Sequence, residues 1–118
     1  MSYDKNNIFA KILRGEIPCK KVYENDNVLA FHDINPQKKL HVLVIPKGEY
    51  VDLDDFNSKA SDKEIAELSK AVSHVANLIG AKDKGYRSLT NIGNDGGQEV
   101  PHLHFHIFAG EKIGKMVN

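Results

Sequence analysis

The sequence predicts an α+β fold built on a mainly antiparallel sheet. The chain has 118 residues, a length that fits one domain and leaves no room for a second. Apolar and polar residues alternate in short segments separated by turn signals, and only one long helical stripe interrupts them. Because parallel strands need a long crossover between them, this order favours antiparallel pairing in one domain over residues 1–118.

The composition is that of an ordinary globular protein. Hydrophobic residues make up 41% and charged residues 27%, and 16 Lys and Arg balance 16 Asp and Glu. We therefore expect no nucleic-acid partner and no membrane partner, since the chain has neither a broad basic surface nor an apolar run of membrane-spanning length. The first residues lack a secretory pattern, which predicts a cytoplasmic protein. The single cysteine, Cys19, can form neither an internal disulfide nor a thiolate zinc cage.

The first half of the chain predicts a short helix and three strands. An asparagine at position 6 or 7 can cap an apolar stripe that ends at Gly15, whose backbone freedom suits a helix end. Two alternating segments, 20–24 and 28–33, flank a polar turn and indicate a hairpin. A third strand is expected over 40–45.

The second half predicts one long helix and two further strands. Ser61 and Glu64 have the spacing of a capping box at the helix start. The apolar stripe of this helix consists of Ile65, Leu68, Val72, Val75 and Ile79. Strands are expected over 85–92 and 102–108, with a glycine-rich loop over 93–98 between them. The prediction is therefore five strands, one short helix and one long helix.

Three histidines alternate with apolar residues near the end of the chain. On a strand, His102, His104 and His106 would line one face while the residues between them fill the core. The residues alone leave three interpretations open. The rings could be polar positions on a half-exposed strand, or metal ligands completed by His41. They could also act on a phosphate as nucleophile and hydrogen-bond donors, because the nearby glycines let backbone amides approach an anion.

The segment HLHFHIF at 102–108 resembles the signature of the histidine triad (HIT) superfamily, His-φ-His-φ-His-φ-φ. Five other segments are similar to the histidine triad nucleotide-binding branch of that superfamily. They are NIFAKI at 7–12, GEIP at 15–18, AFHDINPQ at 30–37, HVLVIPK at 41–47 and GGQEV at 96–100. The resemblance runs from about residue 6 to about residue 110 and leaves a short tail over 111–118.

The resemblance implies a HIT-like fold with a five-stranded antiparallel sheet, paired into a homodimer whose sheets join. It implies hydrolysis of nucleoside 5′-phosphoramidates of purines at the α-phosphorus, with no obligatory cofactor or metal. His104 would be the nucleophile and would form a nucleotidyl-histidine intermediate. His102 and His106 would donate hydrogen bonds to the phosphoryl oxygens, and His41 would be the fourth histidine of the pattern.

The same resemblance implies a nucleotide pocket. Asp33 would accept hydrogen bonds from the ribose, although it could instead start a turn. The nucleoside would contact Ile8, Phe9, Ile12, Phe31, His32, Ile34 and Leu43. On the residues alone, Ile8, Phe9, Ile12, Phe31 and Leu43 are more typical of a core, and His32 could be a surface position. The phosphate would be contacted by Asn91, Gly97, Gln98 and Val100. Glu99 stands where some members have a serine thought to protonate the leaving amine, and a carboxylic acid needs a raised pKa to do the same.

Three other functions stay open at this point. One is hydrolysis of dinucleoside polyphosphates, although His106 stands where the neighbouring transferase branch usually has glutamine. Another is a nucleotide-binding regulatory or scaffold protein with vestigial activity, whose site would look the same. The third is a metalloprotein that uses His41 together with the triad.

Overall fold

A five-stranded antiparallel sheet forms the centre of the computed structural model, which describes residues 2–116. The strands are β1 (Lys21–Glu24), β2 (Val28–His32), β3 (Leu40–Pro46), β4 (Arg87–Leu89) and β5 (Phe105–Ala109). They lie in the order β1-β2-β3-β5-β4, and every neighbouring pair is antiparallel. The predicted α+β fold with five antiparallel strands is confirmed. The ends of the predicted domain and tail, Met1 and residues 117–118, lie outside the described residues.

Three helices accompany the sheet within residues 2–116. They are α1 (Ile8–Leu13), α2 (Leu53–Lys59) and α3 (Asp62–Leu78). Asn7 caps α1 by accepting a hydrogen bond from the backbone of Ala10, and the predicted capping box of Ser61 and Glu64 opens α3. None of these helices combines the length and apolar character needed to cross a membrane.

The prediction of one short and one long helix is incomplete, because it misses α2. This helix has seven residues, and only Leu53 and Phe56 are apolar among them. Two apolar positions are too few for a periodic stripe. The signal that could have revealed α2 is Asp52, which caps the helix by accepting from the backbone of Asp55.

Several strands are shorter than predicted, and the difference matters most at β5. This strand begins at Phe105, so the prediction that His102 and His104 lie on it is wrong. The preceding backbone is bonded elsewhere: the Leu103 amide donates to the Tyr50 oxygen at 2.9 Å. The oxygen of His104 accepts from the hydroxyl of Thr90 at 2.8 Å. Strand β4 likewise covers three residues instead of the predicted 85–92.

The two faces of the sheet are covered differently. Helices α2 and α3 cover one face and bury a core that includes Val42, Phe56 and Leu68. On the opposite face, Phe9 of α1 packs against β2 and β3. His106 and Phe108 of β5 lie on this second face as well, because their cross-strand partners Leu43 and His41 do. The histidines therefore share a face with α1.

Candidate active site

His104 is held so that one ring nitrogen is free. Its Nδ1 lies 2.7 Å from the backbone oxygen of His102. A carbonyl oxygen can only accept, so Nδ1 carries the proton and donates it. Nε2 has no hydrogen-bond partner among the described residues, yet it is not sealed from solvent. Burial lowers the pKa of His104, so the ring is neutral at pH 7 and Nε2 presents the lone pair that a nucleophile needs.

Neighbouring rings fix the orientation of His104. The edge-to-face ring of Phe9 lies 4.9 Å from it between centroids, and the ring of His106 lies 5.0 Å away. His104 is only 5% exposed. Phe9 and His106 therefore flank the ring of His104 and restrict its movement.

His102 supports the site through its backbone. Its ring is fully buried, and its Nε2 donates to the oxygen of Pro46 at 2.8 Å. Its Nδ1 is then the acceptor for the hydroxyl of Tyr3 at 2.6 Å. Both ring nitrogens are occupied, so this structure offers no N–H of His102 for the predicted bond to a phosphoryl oxygen. What His102 supplies is the carbonyl that orients His104.

Tyr3 is a candidate residue that the sequence reasoning missed. It lies 99 positions from His102 along the chain, and no spacing rule connects the two. Its ring meets the His102 ring edge-to-face at 5.6 Å, and its hydroxyl fixes the tautomer of that ring. Tyr3 is therefore a positioning residue that acts on His104 through His102.

We expect Tyr3→Phe to lower the free energy of unfolding by about 1–3 kcal/mol, because it leaves Nδ1 of a buried ring without a donor. Denaturant unfolding measures the change. The matched control is Tyr86→Phe, at an exposed ring, which should stay within about 0.5 kcal/mol of the wild type. Equal losses in the two variants would contradict this role for the Tyr3 hydroxyl.

His41 and His106 form a second hydrogen-bonded pair. The Gln37 amide donates to His41 Nδ1 at 3.1 Å, so neutral His41 carries its proton on Nε2. That nitrogen lies 2.9 Å from His106 Nδ1 and 3.3 Å from an oxygen of Asp33. His106 Nδ1 accepts, and its own proton therefore sits on Nε2. Burial, with smaller effects of His104 and His41, lowers the pKa of His106 to about 4, which leaves a neutral Nε2–H donor.

The carboxylate of Asp33 and the rings of His41 and His106 are also candidate ligands for a metal ion. Asp33, His41 and His106 place one ligand atom each within 4.8 Å of one another. A metal on His41 Nε2 would require the ring proton on Nδ1, where the Gln37 amide already donates. The tautomer that Gln37 selects is thus the wrong one for a metal ligand.

The predicted nucleoside contacts are brought together only in part. Phe9, Phe31 and Leu43 form one buried cluster, with Ile12 and Val100 packed against it. The other three predicted contacts, Ile8, His32 and Ile34, are exposed, Ile34 by 94%. The buried cluster borders His104 through Phe9.

Asp33 takes part in the turn that the sequence allowed, and its carboxylate also lies beside His41. One carboxylate oxygen accepts from the Asn35 amide at 2.9 Å, as expected for a residue that starts a turn. The other oxygen lies 3.3 Å from His41 Nε2. The carboxylate is therefore held beside the histidines by the turn.

The glycine loop is fixed by Gln98. Its side-chain oxygen accepts from the Gly93 amide, and its side-chain nitrogen donates to the oxygens of Val51 and Val100. Gly97 has φ of +77°, a value that favours glycine.

Two other predicted loop residues contribute less to this arrangement. Asn91 is half-buried, and its side chain makes no hydrogen bond within residues 2–116. Glu99 is exposed. Its negative charge raises the pKa of His104, but this effect is smaller than the lowering caused by burial.

Known proteins are similar to this chain in sequence and in fold. Residues 14–113 match the family model of the HIT domain. The chain is 61% identical over 116 residues to a 13.2 kDa HIT-like protein of Azospirillum brasilense, covering 98% of this chain and 95% of that one. It is 36% identical over 110 residues to the purine nucleoside phosphoramidase of Escherichia coli K12, covering 93% and 92%.

Solved structures agree. A HIT family hydrolase from Clostridium thermocellum superposes with a TM-score of 0.88 at 36% identity, covering 98% of this chain and 99% of that one. A histidine triad protein from Clostridium difficile superposes with a TM-score of 0.84 at 44% identity, covering 97% and 98%. On its sequence, its fold and its histidine geometry together, the chain belongs to the HIT domain family.

Proposed function

We propose that this protein hydrolyses purine nucleoside 5′-phosphoramidates through a nucleotidyl-histidine intermediate on His104. The observation that carries the proposal is the hydrogen bond from His104 Nδ1 to the oxygen of His102, which leaves Nε2 as a free lone pair. The substrate class is supported by the Escherichia coli relative, whose name is purine nucleoside phosphoramidase.

The first step forms a bond between His104 Nε2 and the α-phosphorus and breaks the P–N bond. The departing nitrogen takes a proton from solvent and leaves as the amine. The imidazolium formed on His104 keeps its proton on Nδ1, which still donates to the backbone oxygen of His102. The ring therefore does not have to reorient. Charge on the phosphoryl oxygens would be stabilised by the Nε2–H of His106.

The second step returns the enzyme to its starting state. Water attacks phosphorus, the bond to His104 Nε2 breaks, and the nucleoside monophosphate leaves. Water releases one proton in this step, and the amine took up one proton in the first step, so the net reaction is hydrolysis. The electron pair of the broken bond returns to Nε2, so His104 is again a neutral imidazole with its proton on Nδ1.

The remaining assignments complete the proposal. Asp33 binds the ribose, and the cluster around Phe9 and Phe31 packs against the base. The reaction needs no obligatory metal or cofactor, in keeping with the tautomer that Gln37 selects. We also propose a cytoplasmic homodimer in which the edge strand β4 pairs with a second copy.

Trapping the intermediate tests the proposal. Protein mixed with adenosine 5′-phosphoramidate and quenched in alkaline denaturant, where phosphohistidine survives, should gain one adenylyl group. Peptide mass spectrometry should locate that group on His104, and His104→Ala should gain none. An adduct on another residue would overturn the mechanism. Release of the amine no faster than in solution would favour a nucleotide-binding scaffold instead.

A further inference from the structure

Thr90 lies where the pairing of β4 with β5 stops. The last cross-strand pair of these two strands is Leu89 with His106, and β4 ends at Leu89. One residue further along the chain, the hydroxyl of Thr90 donates to the backbone oxygen of His104 at 2.8 Å. A side chain thus continues the connection between the two segments beyond their last cross-strand pair.

The backbone on either side of His104 is held by other segments. The Leu103 amide donates to the Tyr50 oxygen, and Phe105 begins β5 and pairs with β3. Between these neighbours, the carbonyl of His104 is the group that Thr90 holds. Because peptide planes are rigid, the direction of that carbonyl is determined by the ψ angle of His104. The same angle sets the orientation of the His104 side chain relative to the strand that follows.

The strand that follows carries His106. In the proposed mechanism His104 Nε2 attacks phosphorus, and the Nε2–H of His106 stabilises the phosphoryl oxygens. The two rings lie 5.0 Å apart between centroids, with 66° between their planes. Their relative placement depends on the ψ angle that the hydroxyl of Thr90 fixes. A change in that angle would separate the attacking nitrogen from the group that stabilises the developing charge.

We propose that Thr90 is a positioning residue that sets the placement of His104 relative to His106 through its hydrogen bond to the His104 oxygen. The inference rests on the proposed function, because it requires both rings to act on the same phosphoryl group. Thr90 is half-buried, and the bond forms on the side of β4 that faces β5. Pairing of β4 with a second copy at the free edge of the sheet therefore leaves this bond in place.

Thr90→Val tests the inference, because valine has nearly the shape of threonine and lacks the hydroxyl. We expect kcat for adenosine 5′-phosphoramidate to fall about ten-fold, since misplaced reacting groups slow the chemical step. The dissociation constant for adenosine monophosphate should stay within about three-fold of the wild type, because none of the proposed nucleotide contacts comes from Thr90. A fall in kcat without a change in binding distinguishes positioning of the two rings from a general loss of the site.

Thr90→Ser and Ser73→Ala are the matched controls. Serine can donate the same hydrogen bond, so Thr90→Ser should keep kcat within about two-fold of the wild type. Ser73 is exposed on α3, the helix that covers the opposite face of the sheet, and loss of its hydroxyl should leave kcat unchanged. A kcat of Thr90→Val within about two-fold of the wild type, or an equal loss in Thr90→Ser, would overturn the inference.

The hydrogen bond can also be tested in the wild-type protein, so the inference does not depend on whether the valine variant folds. We expect the hydroxyl proton of Thr90 to exchange with water slowly enough to be observed by NMR, because it is donated to a carbonyl at a half-buried position. Exchange as fast as that of the exposed Ser73 hydroxyl would show that Thr90 does not hold the backbone of His104.

Turnover by the wild-type protein separates this inference from the proposed function. If the wild type hydrolyses adenosine 5′-phosphoramidate and Thr90→Val does so equally well, the proposed function stands and the inference fails. If the wild type hydrolyses no phosphoramidate and the Thr90 hydroxyl still exchanges slowly, the proposed function fails and the positioning of His104 by Thr90 stands.

Discussion

Replacing His104 by alanine should lower kcat for adenosine 5′-phosphoramidate by about 10⁴-fold or more, because it removes the only nucleophile that the mechanism uses. Binding of adenosine monophosphate should persist. The contacts proposed for the nucleotide come from Asp33, the Phe9 cluster and His106, and none of them depends on the imidazole of His104. The change should therefore appear in kcat and leave the dissociation constant within about ten-fold.

Steady-state release of the amine and titration with adenosine monophosphate measure the two quantities. The control is His74→Ala, since His74 is exposed on α3 and its loss should alter neither quantity. A His104→Ala protein that keeps its fold by circular dichroism and hydrolyses the substrate within ten-fold of wild type would exclude His104 as the nucleophile.

The sequence predicted the elements whose signals are local. The stripe and capping box of α3 are visible within 20 residues, and the structure confirms both. Helix α2 escaped prediction because seven residues with two apolar side chains form no repeat. The start of β5 escaped for a different reason. The amide of Leu103 is taken by Tyr50, a residue far away in the chain, and no local pattern reports such a bond.

The candidate site also has features that a local sequence pattern predicts and features that it does not predict. Alternation along 102–108 correctly placed His102, His104 and His106 on one side of the chain and Leu103 and Ile107 in the core. The alternation could not show which ring has a nitrogen without a hydrogen-bond partner and which ring has both nitrogens bonded. That distinction depends on single hydrogen bonds from distant segments, such as Tyr3 to His102 and Gln37 to His41.

Acidification should destabilise the protein in a pH range set by its buried histidines. Burial lowers the pKa of His102 to about 4, against about 6.5 in an unfolded chain. Between these values the unfolded state binds more protons than the folded state. The contribution of neutral His102 is therefore complete above pH 6.5 and is lost as the pH falls towards 4. The full loss is roughly 3 kcal/mol for this ring.

Urea unfolding at pH 7.5 and at pH 4.5 tests this expectation, with His102→Gln as the informative variant. Glutamine does not titrate and can still donate to the oxygen of Pro46, so the variant should start less stable but lose roughly 2 kcal/mol less on acidification than wild type. His74→Gln shows the effect of removing an exposed histidine. A titration of the His102 ring by NMR in the wild-type protein decides the matter even if the variant does not fold. Protonation near pH 6.5 would mean that the ring is not buried as the neutral acceptor of the Tyr3 hydroxyl, and the orientation of His104 would then lack its support.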